Sequence, residues 1–196
     1  MEIKHPSNIL ICGPSQSGKT ELVKCLISII HPKPEHVLWC YGVFQPWFAT
    51  SNFEFNEGLP PENWDTSRPR LIVLDDLLTN LNERTARLFV NDSHHRNCTI
   101  AVLAQNMFAQ NKHFRTMSLN THYMFLFMNP RDCLQIQTLG RQMFPDKPKF
   151  IQDAYRQATE KSYKYLCLHL HTQTAEDLRV RSDVLPFEGN FVYLPK

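Results

Sequence analysis

The chain has 196 residues, of which 42% are hydrophobic and 20% are charged, and its formal net charge is +2. This length suits one α/β domain with a full core, and no apolar run is long enough to cross a membrane. The small charge does not by itself indicate a nucleic-acid partner, so any contact with DNA would depend on local basic clusters.

The N-terminus lacks the charged and then apolar pattern of a signal peptide, and the first strand begins almost at once. Six cysteines are spread along the chain, and no two lie within three residues of each other, which excludes a C-x-x-C zinc or redox unit. We expect reduced core cysteines in an intracellular compartment. His94, His95, His169 and His171 have no carboxylate or thiolate companions at ligand spacing, so we predict no metal site there.

The most informative stretch is NILICGPSQSGKT, residues 8–20. It reads as a buried strand, a glycine-containing loop and the start of a helix, and it fits the phosphate-binding pattern G-x-x-x-x-G-K-[ST]. The loop N–H groups and the helix N-terminus would face phosphate oxygens, with Lys19 as a point charge and Thr20 as a hydroxyl ligand for Mg²⁺. The predicted nucleotide cradle comprises Gly13, Pro14, Ser15, Gln16, Ser17, Gly18, Lys19 and Thr20.

The chain then continues with an amphipathic pattern over residues 21–30, which predicts a helix that ends at Pro32 and Pro34. The run HVLWCY, residues 36–41, predicts a second strand. Residues 42–69 are rich in proline and aromatic residues and admit two interpretations. One is a loop pinned to the surface by its aromatic rings, with a short strand at Asn52–Phe55; the other is an element that contacts a subunit or DNA.

A second decisive stretch is RLIVLDD, residues 70–76. Its four consecutive apolar residues predict a strand that is buried on both faces. In P-loop proteins a carboxylate at such a strand tip holds Mg²⁺, and Asp75 is placed for that role. Asp76 follows where many ATPases carry a Glu that polarises the attacking water, so we predict a base role for it. The alternative is a strand-end turn with an aspartate as a helix cap.

Asn80 and Glu83 predict a capping box that opens a helix through about residue 92. The next buried strand, Thr99–Ala104, ends at Gln105 and Asn106. An amide at this position is typical of ATPases whose sensor strand lies between the phosphate-loop strand and the Mg²⁺ strand. An ordinary Asn/Gln turn is the alternative.

Three further elements complete the predicted core: a strand at 122–128, a helix after Asn129-Pro130 that ends at Pro145, and a helix from about Pro148. Residues 163–171 alternate and predict a half-exposed strand, which could pair with the alternating stretch 178–182. Arg179 and Arg181 would then serve DNA phosphates, a neighbouring subunit, or a solvated edge strand that resists aggregation. Residues 183–196 read as a tail.

Strands alternate with helices from residue 8 to about 160, which predicts an α/β fold with a mainly parallel central sheet flanked by helices. We therefore expect a P-loop NTPase with an ASCE or RecA-like core and a C-terminal β-hairpin. The whole chain, residues 1–196, is predicted as a single domain, with the core at about 8–160 and the hairpin and tail at about 163–196.

The chain resembles the genome-packaging ATPases of Polinton/Maverick elements and related adintoviruses in a combination of motifs. These motifs are GPSQSGKT, LIVLDD, SHHRN before a strand ending in AQN, FRTMSLN and LFMNPRD. These ATPases belong to the FtsK/HerA superfamily of ring-forming DNA pumps. WCYGVFQP, EGLPP and YLCLHLHTQTAEDLRVRSDVLP are also similar to that family, so the resemblance covers nearly the whole chain.

The resemblance implies roles for matching positions. Lys19 and Thr20 match the phosphate and Mg²⁺ residues, and Asp75 and Asp76 match the Mg²⁺ carboxylate and the catalytic acid, with Asp in place of the usual Glu. Gln105 matches the sensor amide. Arg96 matches the arginine finger and, because it precedes the sensor strand, could act only on a neighbouring subunit. The alternative fingers are Arg115, Arg131 and Arg141.

The resemblance therefore implies an ATP hydrolase that uses ATP and Mg²⁺ to translocate double-stranded DNA into a capsid. Its partners would be double-stranded DNA, a homo-oligomeric ring of five or six copies, and capsid or portal-vertex proteins, with no membrane. The expected location is intracellular in the host, in the nucleus or at the virion assembly site. A viral helicase, a regulatory DNA-binding ATPase and a small-molecule kinase are the alternatives. The segment 107–118, with Lys112, His113 and Arg115, and the hairpin 169–181 are both candidate DNA grips.

Overall fold

The computed structural model describes residues 1–63, 66–77, 82–107 and 112–195. Within these residues the chain forms a short parallel pair of strands and one nine-stranded sheet. In chain order, the strands are β1 (Ile3–Lys4), β2 (Asn8–Cys12), β3 (Ile30–His31), β4 (His36–Tyr41), β5 (Glu54–Glu57), β6 (Arg70–Asp75), β7 (Cys98–Ala104), β8 (Tyr123–Phe127), β9 (Tyr165–His169), β10 (Val180–Ser182) and β11 (Phe191–Val192).

The large sheet has the order β11-β10-β9-β8-β2-β7-β6-β4-β5. The six strands from β8 to β5 run parallel, whereas β9, β10 and β11 are antiparallel additions. The mainly parallel sheet of the predicted α/β fold is therefore confirmed. β7 lies between β2 and β6, as predicted for the sensor strand, and this order brings the ends of all three to one edge.

Helices cover both faces of this sheet. They are α1 (Lys19–Leu26), α2 (Glu83–Arg87), α3 (Ser93–His95), α4 (Lys112–Leu119), α5 (Cys133–Met143) and α6 (Phe150–Ala158), and a π-helical turn at Leu88–Asp92 joins α2 to α3. Alternate residues of β2 enter two separate cores: Ile9 and Ile11 pack in the core that includes α1, and Leu10 and Cys12 in the core that includes α4, α5 and α6.

Several local predictions need correction. The first helix ends at Leu26 and not at the prolines, because the chain turns there and Ile30 pairs with Ile3. The predicted half-exposed strand is wrong: Tyr165–Leu168 is buried on both faces, since α6 covers one face and Val184 lies in the core on the other. The predicted tail is also wrong, because it includes buried Val184 and Leu185 and the edge strand β11.

The segment between β4 and β6 is a surface element held by its aromatic rings. Phe48 is buried, Trp47, Phe53 and Phe55 pack against the core, and β5 extends the sheet beside β4. The short strand thus lies at Glu54–Glu57, two residues beyond its predicted start. Trp64, one of the aromatic residues of the predicted 42–69 segment, falls outside the described residues.

The helix predicted from residue 80 begins at Glu83, where the Asn82 side chain accepts a hydrogen bond from the Thr85 amide at 3.0 Å. Asn80, the predicted cap, falls outside the described residues. The six cysteines, all within the described residues, form no disulfide, and four of them are buried. Within the described ranges of the chain, no helix is both long enough and apolar enough to cross a bilayer.

Candidate active site

The loop between β2 and α1 has the backbone form that its glycines predict. Gly18 adopts a φ of 101°, which is left-handed, and directly precedes the first residue of α1. A Cβ on Gly13 would lie 2.7 Å from the Phe127 Cβ, so this position has no room for a side chain. The loop therefore leads from a fully buried strand to an open helix N-terminus, which is the arrangement that binds phosphate.

Lys19 is held over this loop. Its Nζ donates hydrogen bonds to the carbonyl oxygens of Gly13 at 2.7 Å and Pro14 at 2.8 Å. These contacts use two of the three donors of the ammonium group. Burial lowers the pKa of Lys19, and the nearby Asp75 carboxylate opposes that shift. The hydrogen bonds to the loop carbonyl groups therefore fix the lysine charge beside the predicted phosphate-binding loop.

Asp75 ends β6 and is only 7% exposed. The Trp39 indole of the neighbouring strand β4 donates a hydrogen bond to Asp75 Oδ2 at 3.1 Å. Burial raises the pKa of this carboxyl group, while the Trp39 hydrogen bond and the Lys19 charge lower it. The indole contact fixes the carboxylate orientation and was not predicted from the sequence.

The residues predicted to hold Mg²⁺ fit that ion. Asp75 and Thr20 line one cavity, and a carboxylate and a hydroxyl supply the hard oxygen ligands that Mg²⁺ prefers. In the described part of the chain, no group of three or more His, Cys, Asp or Glu side chains is arranged to hold a metal alone. Mg²⁺ is commonly bound by one or two carboxylates together with substrate phosphates, so this small ligand set suits it.

Asp76 and Gln105 form a direct pair across adjacent strand ends. Gln105 Nε2 donates to Asp76 Oδ1 at 3.2 Å, and both side chains are exposed at the cavity. Asp76 has a φ of 55°, the left-handed conformation, which turns the chain sharply just after β6. The predicted catalytic acid and the predicted sensor amide are therefore in contact.

A cavity of about 660 Å³ joins these groups at the end of the sheet. It contains the predicted residues Ser15, Gln16, Gly18, Lys19, Thr20, Asp75, Asp76 and Gln105. Its remaining lining was not predicted as part of the site: Glu21, Leu22, Cys25, Gln45, Leu103, Phe127, Tyr163, Tyr165, Leu185, Phe187 and Glu188. The predicted tail therefore supplies one wall of the cavity.

Hydrogen bonds to Glu188 hold this wall in place. Its carboxylate accepts from Lys164 Nζ at 2.9 Å, from the Tyr165 hydroxyl at 2.7 Å and from the Leu185 amide at 3.2 Å. Lys164 also pairs with Asp183. The sequence signal for this wall is the pair of acids Asp183 and Glu188 after β10, which could have been matched to Lys164 just before β9.

Arg96 does not join the cavity. It precedes β7, which runs parallel to β2, so it lies at the sheet edge opposite the phosphate loop. Its Nη1 donates to the Glu62 carbonyl oxygen at 2.8 Å. Arg115, Arg131 and Arg141 are exposed and also lie outside the cavity. The site formed by one chain is therefore without an arginine from these four positions.

No protein-family model matches the chain, and no curated protein sequence matches it. Solved structures do match. The genome-packaging NTPase B204 from Sulfolobus turreted icosahedral virus 2, in complex with sulfate, is similar with a TM-score of 0.58 and 9% identity over 97% of each chain. The same protein in complex with ATP-gammaS gives a TM-score of 0.56 and 8% identity over 97% of each chain.

A third match is B204, the DNA-packaging ATPase from Sulfolobus Turreted Icosahedral Virus, with a TM-score of 0.53 and 10% identity over 97% of this chain and 98% of that one. At such low identity the likeness concerns the fold alone. The chain has the α/β fold of a P-loop NTPase.

Proposed function

We propose that this protein is an ATP hydrolase that translocates double-stranded DNA to package a viral or virus-like genome. The observation that carries the proposal is the single cavity that unites Lys19, Thr20, Asp75 and the Asp76–Gln105 pair. The proteins of similar fold, which are described as genome-packaging or DNA-packaging enzymes, support a packaging role. The motif resemblance to the Polinton and adintovirus packaging ATPases of the FtsK/HerA superfamily supports the finer assignment.

Binding would begin at the phosphate loop. The loop amides and the helix N-terminus take the phosphates, and Lys19 balances their charge. Thr20 and Asp75 would hold Mg²⁺, which neutralises negative charge on the phosphate oxygens when bound. The Trp39 hydrogen bond keeps the Asp75 carboxylate in one orientation for that purpose.

Hydrolysis would use the exposed pair at the end of β6 and β7. Asp76, held by Gln105 at 3.2 Å, orients a water molecule and accepts its proton. The water oxygen bonds to the γ-phosphorus while the bond to the leaving ADP oxygen breaks, which yields ADP and phosphate. The Asp side chain is one methylene shorter than that of the usual Glu. The left-handed backbone conformation at Asp76 fixes the position of its Cβ, and thereby the reach of the carboxylate.

Force generation would need more than one chain. In the proposed ring of five or six copies, Arg96 of one subunit completes the site of the next. DNA phosphates would be contacted by the exposed Lys112 and Arg115 on α4, or by Arg179 just before β10 and Arg181 within it. The capsid or portal vertex would be the docking partner, in the host nucleus or at the virion assembly site.

The test is ATP turnover with and without duplex DNA, with the mass of the particle measured under the same conditions. We expect DNA to stimulate hydrolysis and the stimulation to weaken as salt rises, since phosphate contacts release counterions. Lys19→Ala should lower turnover by about 100-fold or more, because it removes a charge from the transition state.

Lys33→Ala, which changes an exposed lysine outside the cavity, is the matched control and should retain full turnover. Full activity in Lys19→Ala would sink the assignment of the site. Turnover that depends on a small-molecule acceptor would indicate a kinase, and strand unwinding without movement on duplex DNA would indicate a helicase. Negligible hydrolysis with DNA present would indicate a regulatory ATPase.

A further inference from the structure

The cavity extends to both sides of the phosphate-loop strand β2. Asp75, Asp76 and Gln105 follow β6 and β7 on one side, whereas Phe127 and Tyr165 belong to β8 and β9 on the other. β6 and β9 are four strand spacings apart, or about 19 Å. The side near β6 carries Asp75 and Asp76, whereas the side near β9 carries the rings of Phe127, Tyr163, Tyr165 and Phe187 together with the Glu188 carboxylate. The phosphate chemistry uses only the first of these sides.

Two aromatic rings on the second side are exposed at the cavity. Tyr163 is 72% exposed and Phe187 is 75% exposed, although both belong to a folded part of the chain. The Tyr163 ring lies beside the phosphate loop, since a Cβ built on Gly18 would be 3.4 Å from Tyr163 Cδ1. Large apolar rings left open beside a polar loop indicate a ligand surface.

The segment that carries these rings is fixed by hydrogen bonds. Tyr163 directly precedes Lys164 and Tyr165, and Phe187 directly precedes Glu188, whose side chain is only 10% exposed. Lys164 and Tyr165 both donate to the Glu188 carboxylate. The two ring-bearing stretches are thus joined next to the rings themselves, so each ring is presented on an ordered backbone and little ordering cost remains for binding.

We propose that Tyr163 and Phe187 form the site for the base of the nucleotide whose phosphates occupy the loop. The inference rests on the proposed function, because it takes the phosphate position from that assignment. A base has an apolar π-face that stacks on aromatic side chains, whereas inorganic phosphates offer no such face. The aromatic side of the cavity therefore binds the base, which the phosphate loop does not contact.

The experiment compares the affinities of ATP and inorganic triphosphate for the full-length protein by calorimetry. Tyr163→Ala and Phe187→Ala should each weaken ATP binding by about tenfold, a typical loss for one stacking ring. The affinity for inorganic triphosphate should stay unchanged in both variants. Tyr163→Phe, which keeps the ring, should bind ATP as the unmodified protein does.

Phe191→Ala is the matched control, because Phe191 is 60% exposed on β11 and lies outside the cavity. Unchanged ATP affinity in both ring variants would overturn the base site. An equal loss for ATP and triphosphate would also overturn it, since the rings would then support the loop and not the base. Lys19→Ala separates this from the proposed function: if that variant keeps its triphosphate affinity, the phosphate assignment itself fails.

Discussion

Asp75 is placed to bind a cation at the candidate site, but the burial of its carboxylate lowers the stability of the folded protein. The residue is only 7% exposed, and the Trp39 indole and the Lys19 charge offset only part of the cost of burying its carboxylate. Burial raises its pKa above the ordinary value, so ionisation is less favourable in the folded protein than in the unfolded chain. A bound cation would offset the cost of this buried negative charge, which destabilises the folded protein when no cation is bound.

We therefore expect Asp75→Asn to have opposite effects on stability and activity. Above the raised pKa, the folded protein bears the full free-energy cost of the buried charge. The neutral amide of the variant removes this cost. Without nucleotide and Mg²⁺, the variant should therefore melt at a higher temperature than the unmodified protein at pH 7.5. The gain should shrink as the pH falls towards about 4, the ordinary pKa of Asp, because the carboxyl group is then protonated in the folded protein. Hydrolysis should fall by about 100-fold or more.

Thermal melting across pH and ATP turnover measure the two effects separately. Asp146→Asn, at an exposed aspartate outside the cavity, should change neither. A variant that melts lower than the unmodified protein at pH 7.5 would show that the Asp75 carboxylate stabilises the fold instead.

Among the elements, β9 departs most from its sequence pattern. Its alternation does place Leu166 and Leu168 in one core and Cys167 in the other, yet both faces are covered. His169 stacks on Tyr123 with ring centroids 4.5 Å apart. Burial, followed by the positive charges of Arg181 and other basic neighbours, lowers the pKa of His169 to about 4. The strand thus carries a histidine that stays neutral at physiological pH.

This predicts a loss of stability in acid. The unfolded chain takes up a proton at His169 near its ordinary pKa of about 6.5, whereas the folded protein resists protonation until about pH 4. Unfolding should therefore become easier as the pH falls between these values. His169→Gln removes this titration and should flatten the decline in a denaturant series measured at several pH values.

His31→Gln, at an exposed position, is the matched control and should leave the slope unchanged. An equally steep decline in His169→Gln would assign the acid sensitivity to other groups.

At the scale of the whole molecule, the parallel sheet separates Arg96 from the phosphate loop. β7 begins just after Arg96 and ends beside the loop, and its seven residues span about 20 Å. One chain cannot bring the two together without breaking the sheet. An arginine at this edge can reach a nucleotide only on a neighbouring copy.

We expect Arg96→Ala to lower hydrolysis by up to the 10³–10⁵-fold typical of arginine fingers while ATP binding persists. Mixing it with an Asp76→Asn protein should restore part of the activity, because Asp76→Asn subunits supply Arg96 to sites that keep Asp76. ATP turnover of the mixture against each variant alone is the measurement. Arg156→Ala, at an exposed arginine on α6, should behave as the unmodified protein. Activity that stays at the level of the single variants would contradict a role in trans.

Features that depend on neighbouring residues were predictable from the amino-acid sequence. The phosphate loop, the strands at Asn8–Cys12 and His36–Tyr41 and the aspartates at the end of β6 follow from local pattern. Glycine geometry, apolar runs and strand ends each depend on a few consecutive positions. The order of β2, β7 and β6 was also predictable, because the motifs are typical of one arrangement of strands.

The distant segments that complete the site were not predictable from the sequence, because they meet only in the folded chain. The Trp39–Asp75 hydrogen bond joins residues 36 positions apart, and the Lys164–Glu188 contact joins residues 24 apart. Such contacts arise from the packing of whole strands, which residue periodicity does not encode. The stretch after β10 looks like a tail for this reason: its buried residues Val184 and Leu185 pack into a core that exists only once the sheet has formed.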